Sequence, residues 1–140
     1  MTVITDISGA LAQPLVTSWM PGPVDPADNP VVVSVTEYTA QRRRDVPGIA
    51  VHGMRMREGW YAMPGAVGLW LWSMPTPGRT GSISVWTDEE ALQRFITLPH
   101  HVRIMQSYGP RGEVRSTTWH AESFDPAATV ARARGWILDR

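Results

Sequence analysis

Cysteine is absent from this 140-residue chain, which excludes disulfides, thiolate nucleophiles and soft metal ligands. Net charge is absent as well. The 13 basic and 13 acidic residues cancel, so no global field draws the chain to nucleic acid or an anionic membrane. No basic face interleaved with aromatics marks a nucleic-acid binder. No segment approaches the roughly 20 apolar residues that span a bilayer. The start, MTVITDISGALAQPLV, has neither a basic leader nor a long apolar run, so no signal peptide is expected and a cytoplasmic protein is the natural reading. Metal-ligand spacing is missing too: His100 and His101 are adjacent and diverge on a helix, with no spaced carboxylates to complete a set.

Large apolar side chains are plentiful instead, with seven tryptophans and seven methionines. They can fill a core, an oligomer interface or a pocket for a bulky flat ligand. The length predicts one domain. Residues 1–30 carry Pro14, Pro21, Pro23, Pro26 and Pro30 and read as an extended N-terminal arm. Its Leu11, Leu15, Val16, Trp19 and Met20 suggest that it packs on something. Residues 31–140 form the domain.

Val31 to Tyr38 alternates as a strand, with Val31, Val33 and Val35 on one face and Val32, Ser34, Thr36 and Tyr38 on the other. Gln41 to Asp45 is a charged connection. A helix is predicted from Pro47 to Met63, with Ile49, Gly53, Met56, Trp60 and Met63 as its inner stripe and His52 at the edge. Gly53 and Gly59 in that helix imply close approach of another group. Ala66 to Met74 is a strand with Trp70, Trp72 and Met74 opposite Val67, Leu69 and Leu71. The turn PTPGRTG leads to the strand Ser82 to Trp86. Thr87 and Glu90 fit a capping box for the next helix, which Pro99 interrupts and restarts. In the restarted piece His101, Ile104, Met105 and Tyr108 share one stripe. Glu113 to Glu122 is the last strand, carrying His120, and Pro126 to Trp136 a final helix.

This order predicts an α+β chain with the ferredoxin-like split βαβ arrangement, helices on one face of a four-stranded antiparallel sheet. Both sheet faces are apolar, so the second also needs a cover. A homodimer whose sheets face each other would supply it.

The segments SVWTDEEALQRFITLPHH and MRMREGWYAMPGAVGLWLW resemble the dimeric α+β barrel superfamily of antibiotic-biosynthesis monooxygenases and its actinobacterial relatives of unknown function. They are more loosely similar to the spheroidene monooxygenase group. The resemblance spans about residues 31–122. It implies the fold, and it implies an enzyme that lets an electron-rich phenol or enol react with dioxygen without a cofactor. Haem-degrading members ligate iron through a histidine on the second helix, near which His101 falls. They also use an asparagine on the first strand and a tryptophan in the second helix, where this chain has no asparagine and has Phe95. Trp86 matches a structural tryptophan of the superfamily.

A pocket is expected between sheet and helices, lined by His52, Met56 and Trp60 from the first helix, Trp70 and Trp72 from the second strand, Met105 from the second helix and His120 from the last strand. His101 is the expected catalytic base, with Tyr108 as an orienting donor; imidazole titrates near neutral pH and a dry pocket keeps it unprotonated. The alternatives are haem ligation by His101, a nonoxidative cyclase or decarboxylase using Arg44 or Arg79 to hold an anion, and a dimeric barrel whose methionines and tryptophans serve only packing. Cavity volume separates the last, since a void below about 300 Å³ would favour it.

Overall fold

A computed structural model describes residues 13–74 and 78–139; Leu11, the start of the chain and residues 75–77 of the PTPGRTG turn lie outside them. Two short strands, β1 (Leu15–Val16) and β2 (Met20–Pro21), precede β3 (Val31–Ala40), α1 (Val46–Glu58), β4 (Ala66–Met74) and β5 (Arg79–Trp86). Then come α2 (Glu89–Ile96), α3 (Pro99–Tyr108), β6 (Gly112–Ala121) and α4 (Pro126–Leu138). The long strands form an antiparallel sheet in the order β4-β5-β3-β6, which is the ferredoxin-like α+β arrangement, and β1 and β2 both pair with the free edge of β4.

Alternation along the strands fixes the two faces. Val33 stands opposite Val85 and Trp119, while Thr36 stands opposite Ser82 and Ser116. The odd-numbered valines of β3 therefore join Trp70, Trp72, Ile83 and Trp119 in one apolar layer. Ala133 and Ile137 of α4, with Phe124 and Trp19, pack over it. Trp19 lies 4.3 Å from the Trp70 ring and 5.1 Å from Phe124. Glycine is required beneath it, because a Cβ at Gly68 would overlap the Trp19 ring. The expectation that a second copy covers this face loses its reason. Val33 and Val35 are already 0% exposed within a single chain.

One charged group is sealed into that layer. Glu37 accepts from the buried Arg79 and, at 2.9 Å, from Arg115. Arg79 also donates to the Ile137 carbonyl at 2.6 Å, and Arg115 to that of Trp136 at 3.2 Å, so the cluster ties the end of α4 to the sheet. Burial alone would raise the Glu37 carboxyl, but hydrogen bonds and charge from both arginines outweigh it and hold the group below the usual range.

The other face carries Val32, Leu69 and Trp86 against α1 and α2, and Tyr38 against Ile104 and Tyr108. Several local expectations need correction. The helix predicted to reach Met63 ends at Glu58; Gly59 begins a short 3-10 turn over Trp60–Ala62. Gly53 and Gly59 do not mark close approaches, since a Cβ at either would meet nothing nearer than 3.4 Å. The cap of α2 is Asp88, whose carboxylate accepts from the Ala91 amide at 2.8 Å. Thr87 instead donates its hydroxyl to the Gly65 carbonyl at 3.3 Å. Proline at the start of α3 acts as expected, where no hydrogen-bonding N–H is needed.

Candidate active site

Between this second face and the helices lies a cavity of about 590 Å³. That is well above the volume set for mere packing and within the roughly 300–1,000 Å³ of ligand pockets. Its floor comes from residues that alternate out of three adjacent strands. Ser34 and Thr36 project from β3, Ser82 and Ser84 from β5, Ser116 and Thr118 from β6. Strand register aligns them in two rows: Ser116, Thr36 and Ser82 in one, Thr118, Ser34 and Ser84 in the other. The walls are mostly apolar. α1 contributes His52, Gly53 and Met56; α2 contributes Leu92 and Phe95; α3 contributes His101, Ile104 and Met105.

His101 is held in one orientation. Its ring packs 4.8 Å from Phe95, and its Nδ1 lies 3.1 Å from the Ile96 carbonyl oxygen. A carbonyl can only accept, so Nδ1 carries the hydrogen and the neutral ring keeps its lone pair on Nε2. Burial pushes the His101 pKa below the ordinary value; the bond to Ile96 opposes this and neighbouring His100 adds to it. The imidazole is therefore neutral near pH 7 and ready to accept a proton.

Of the other residues expected at the site, His52, Met56, Trp72 and Met105 border the cavity with His101. The ring of Trp72 belongs to the opposite apolar layer, however, where its Nε1 donates to the Thr36 carbonyl at 3.2 Å. His52 packs 5.7 Å from the Tyr108 ring, and its Nδ1 is buried without a hydrogen-bond partner among the described residues. Three expected residues do not line the cavity. Trp60 is 0% exposed, wedged against Trp86 and Phe95. Trp70 faces the other side of the sheet. Tyr108 packs edge-on to Tyr38, whose hydroxyl donates to the Tyr108 carbonyl at 2.9 Å, and Arg111 covers its ring. Nor is His120 at the cavity; its Nε2 pairs with Glu89 at 3.1 Å on the surface. Arg79 is committed to Glu37, and Arg44 is exposed on the short 3-10 turn Arg43–Asp45.

The hydroxyl floor is what sequence reasoning missed. Its signal was present as a Ser/Thr-x-Ser/Thr pattern in three strands, at 34 and 36, 82 and 84, and 116 and 118. Only strand register shows that the three patterns meet.

A haem group fits this cavity incompletely. His101 Nε2 could ligate iron, but among the described residues no arginine or lysine lines the walls to hold the propionates. No group of three or more metal-ligating side chains occurs among the described residues, and none of their helices is long and apolar enough to cross a membrane.

No family model matches the chain, and no curated protein matches it. Solved structures do. SnoaB, a cofactor-independent oxygenase from Streptomyces nogalater, superimposes with TM-score 0.53 at 20% identity, covering 71% of this chain and 99% of that one. A monooxygenase-like protein from Listeria innocua gives 0.57 at 18% identity over 79% of this chain. A ferredoxin-fold protein related to antibiotic biosynthesis monooxygenases, from Listeria monocytogenes, gives 0.51 at 21% over 66%. The likeness is one of fold. The match spans only 64% and 57% of the two Listeria proteins, and 48% of another similar chain.

Proposed function

We propose that this protein is a cofactor-independent monooxygenase acting on a flat, hydrophobic, electron-rich aromatic such as a polyketide-like phenol. The observation that carries the reading is His101: a neutral imidazole on the wall of a largely apolar cavity, oriented by a backbone carbonyl so that Nε2 is free to take a proton. The fold shared with a cofactor-independent oxygenase supports the same reading.

The chemistry asks little of the protein. A phenolic O–H bond breaks and its proton passes to Nε2. The resulting phenolate is rich enough in electrons for a ring carbon to bond dioxygen, and the imidazolium returns its proton to the peroxide. Loss of water then leaves a quinone, so one phenol and one dioxygen give one quinone and one water. The apolar walls favour the step by excluding solvent from the reacting ring.

The test is oxygen consumption with a panel of polyhydroxylated aromatics. His101→Ala should lower turnover by roughly 10²–10⁴-fold, the range typical of a positioned base, with unchanged circular dichroism. Full activity in that variant would sink the assignment. Hemin titration accompanies it, since a saturable Soret band lost in His101→Ala would replace this reading by haem ligation.

A further inference from the structure

The floor and the walls of the cavity differ in kind, and this difference constrains how a ligand lies. We propose that the Thr36–Ser82 hydroxyl pair is the polar recognition site of the cavity, and that it binds flat ligands edge-on, selecting those with neighbouring oxygens along one edge. The inference rests on the substrate reading above and adds to it the residues that set orientation and specificity.

Two observations carry it. First, the hydroxyls are not equally available. Ser84 accepts from Trp86 Nε1 at 2.9 Å and donates to the Ser34 carbonyl at 3.4 Å, so it braces the sheet. Thr36 and Ser82 lie 2.8 Å apart and bond each other. One hydrogen serves that bond, which leaves the pair one further O–H and unused lone pairs. It therefore offers a donor and acceptors side by side, at the centre of the floor.

Second, the polar atoms of a flat aromatic lie in its own plane, where their lone pairs and O–H bonds also point. A ring lying flat on the sheet could not bond the floor. A ring standing on edge can place its oxygens on Thr36 and Ser82 while its hydrocarbon edge meets Met56, Ile104 and Met105 above.

The experiment compares two isomers of equal composition, 1,8-dihydroxynaphthalene, with both oxygens on one edge, and 1,5-dihydroxynaphthalene, with them on opposite edges. Binding is measured by calorimetry without oxygen, so that it does not depend on turnover. Wild type should bind the 1,8 isomer more tightly, by up to roughly tenfold, the size of one added hydrogen bond. The double variant Thr36→Val/Ser82→Ala removes both hydroxyls and leaves neither orphaned; it should lose the preference, binding the two isomers equally and each more weakly than wild type, with an unchanged circular dichroism spectrum reporting that the fold is intact. Equal binding of the isomers by wild type, whatever the variant does, would overturn the inference while leaving the monooxygenase reading standing. So would a preference that survives the double substitution. Binding of neither isomer would overturn both.

Discussion

Replacing Glu37 by glutamine tests the strongest electrostatic feature of the fold. The side chain keeps its shape, but its charge goes and one carboxylate oxygen becomes an NH₂ that faces guanidinium donors with nothing to offer them. Glu37 is 1% exposed and Arg79 4%, so Arg79 is left as a buried cation without its counter-ion. Breaking a buried pair from one side costs roughly 3–5 kcal/mol. Arg115 is partly solvated and lies 3.8 Å from the Trp136 ring, which points to the lower end, about 3 kcal/mol. At roughly 2–4 °C per kcal/mol for a chain near this size, Tm should fall by about 10 °C. Urea unfolding at pH 7 is the assay. Changing Glu37 and Arg79 together to methionine should recover most of the loss, because the fully buried cation goes with its partner and only the partly solvated Arg115 is left without a carboxylate. A loss below about 1 kcal/mol, or a double variant weaker than the single one, would refute the reasoning. The pH dependence has a fixed sign. The folded-state pKa of Glu37 lies below its unfolded value, so this stabilisation is complete above the ordinary carboxylate range and is lost as pH falls through the folded pKa. Glu37→Gln should therefore be less acid-sensitive than wild type.

Two further predictions concern the cavity. The pKa of His101 is lowered by burial, so kcat/KM should stay level near neutrality and fall only on the acid side, with an apparent pKa below about 6.5; a midpoint above that value would remove His101 as the base. Gly53 lines the cavity and a Cβ there meets only Leu71, at 3.4 Å. Gly53→Leu should block the slot and abolish naphthalenediol binding, while stability holds or rises, since glycine costs a helix about 1 kcal/mol against alanine. Retained binding would show that this part of the cavity does not take the ligand.

Much of the fold was legible because strands and helices write different periods into the chain. The valines of β3 and the tryptophans of β4 alternate, and His101, Ile104 and Tyr108 recur at helical spacing; both patterns became elements close to their expected bounds. Boundaries failed where two local options competed. Asp88 and Thr87 can each cap a helix, and only the position of the Gly65 carbonyl drew Thr87 away. The site was legible in part. His101 stood out because a titratable ring shared a stripe with large apolar residues. Trp60, Trp70 and Tyr108 were expected beside it because a sequence shows that a residue is large and apolar, not which layer it enters.

By itself, then, the sequence determined the order of the elements, the split βαβ class and the polar character of one alternating set on β3, β5 and β6, all of which depend on neighbours within a few residues. Tertiary structure decided which sheet face the helices cover, that α4 and Trp19 take the face assigned to a second copy, and that six hydroxyls form one floor. Those outcomes depend on register between strands far apart in the chain. A shift of one residue would send each of those hydroxyls to the opposite face.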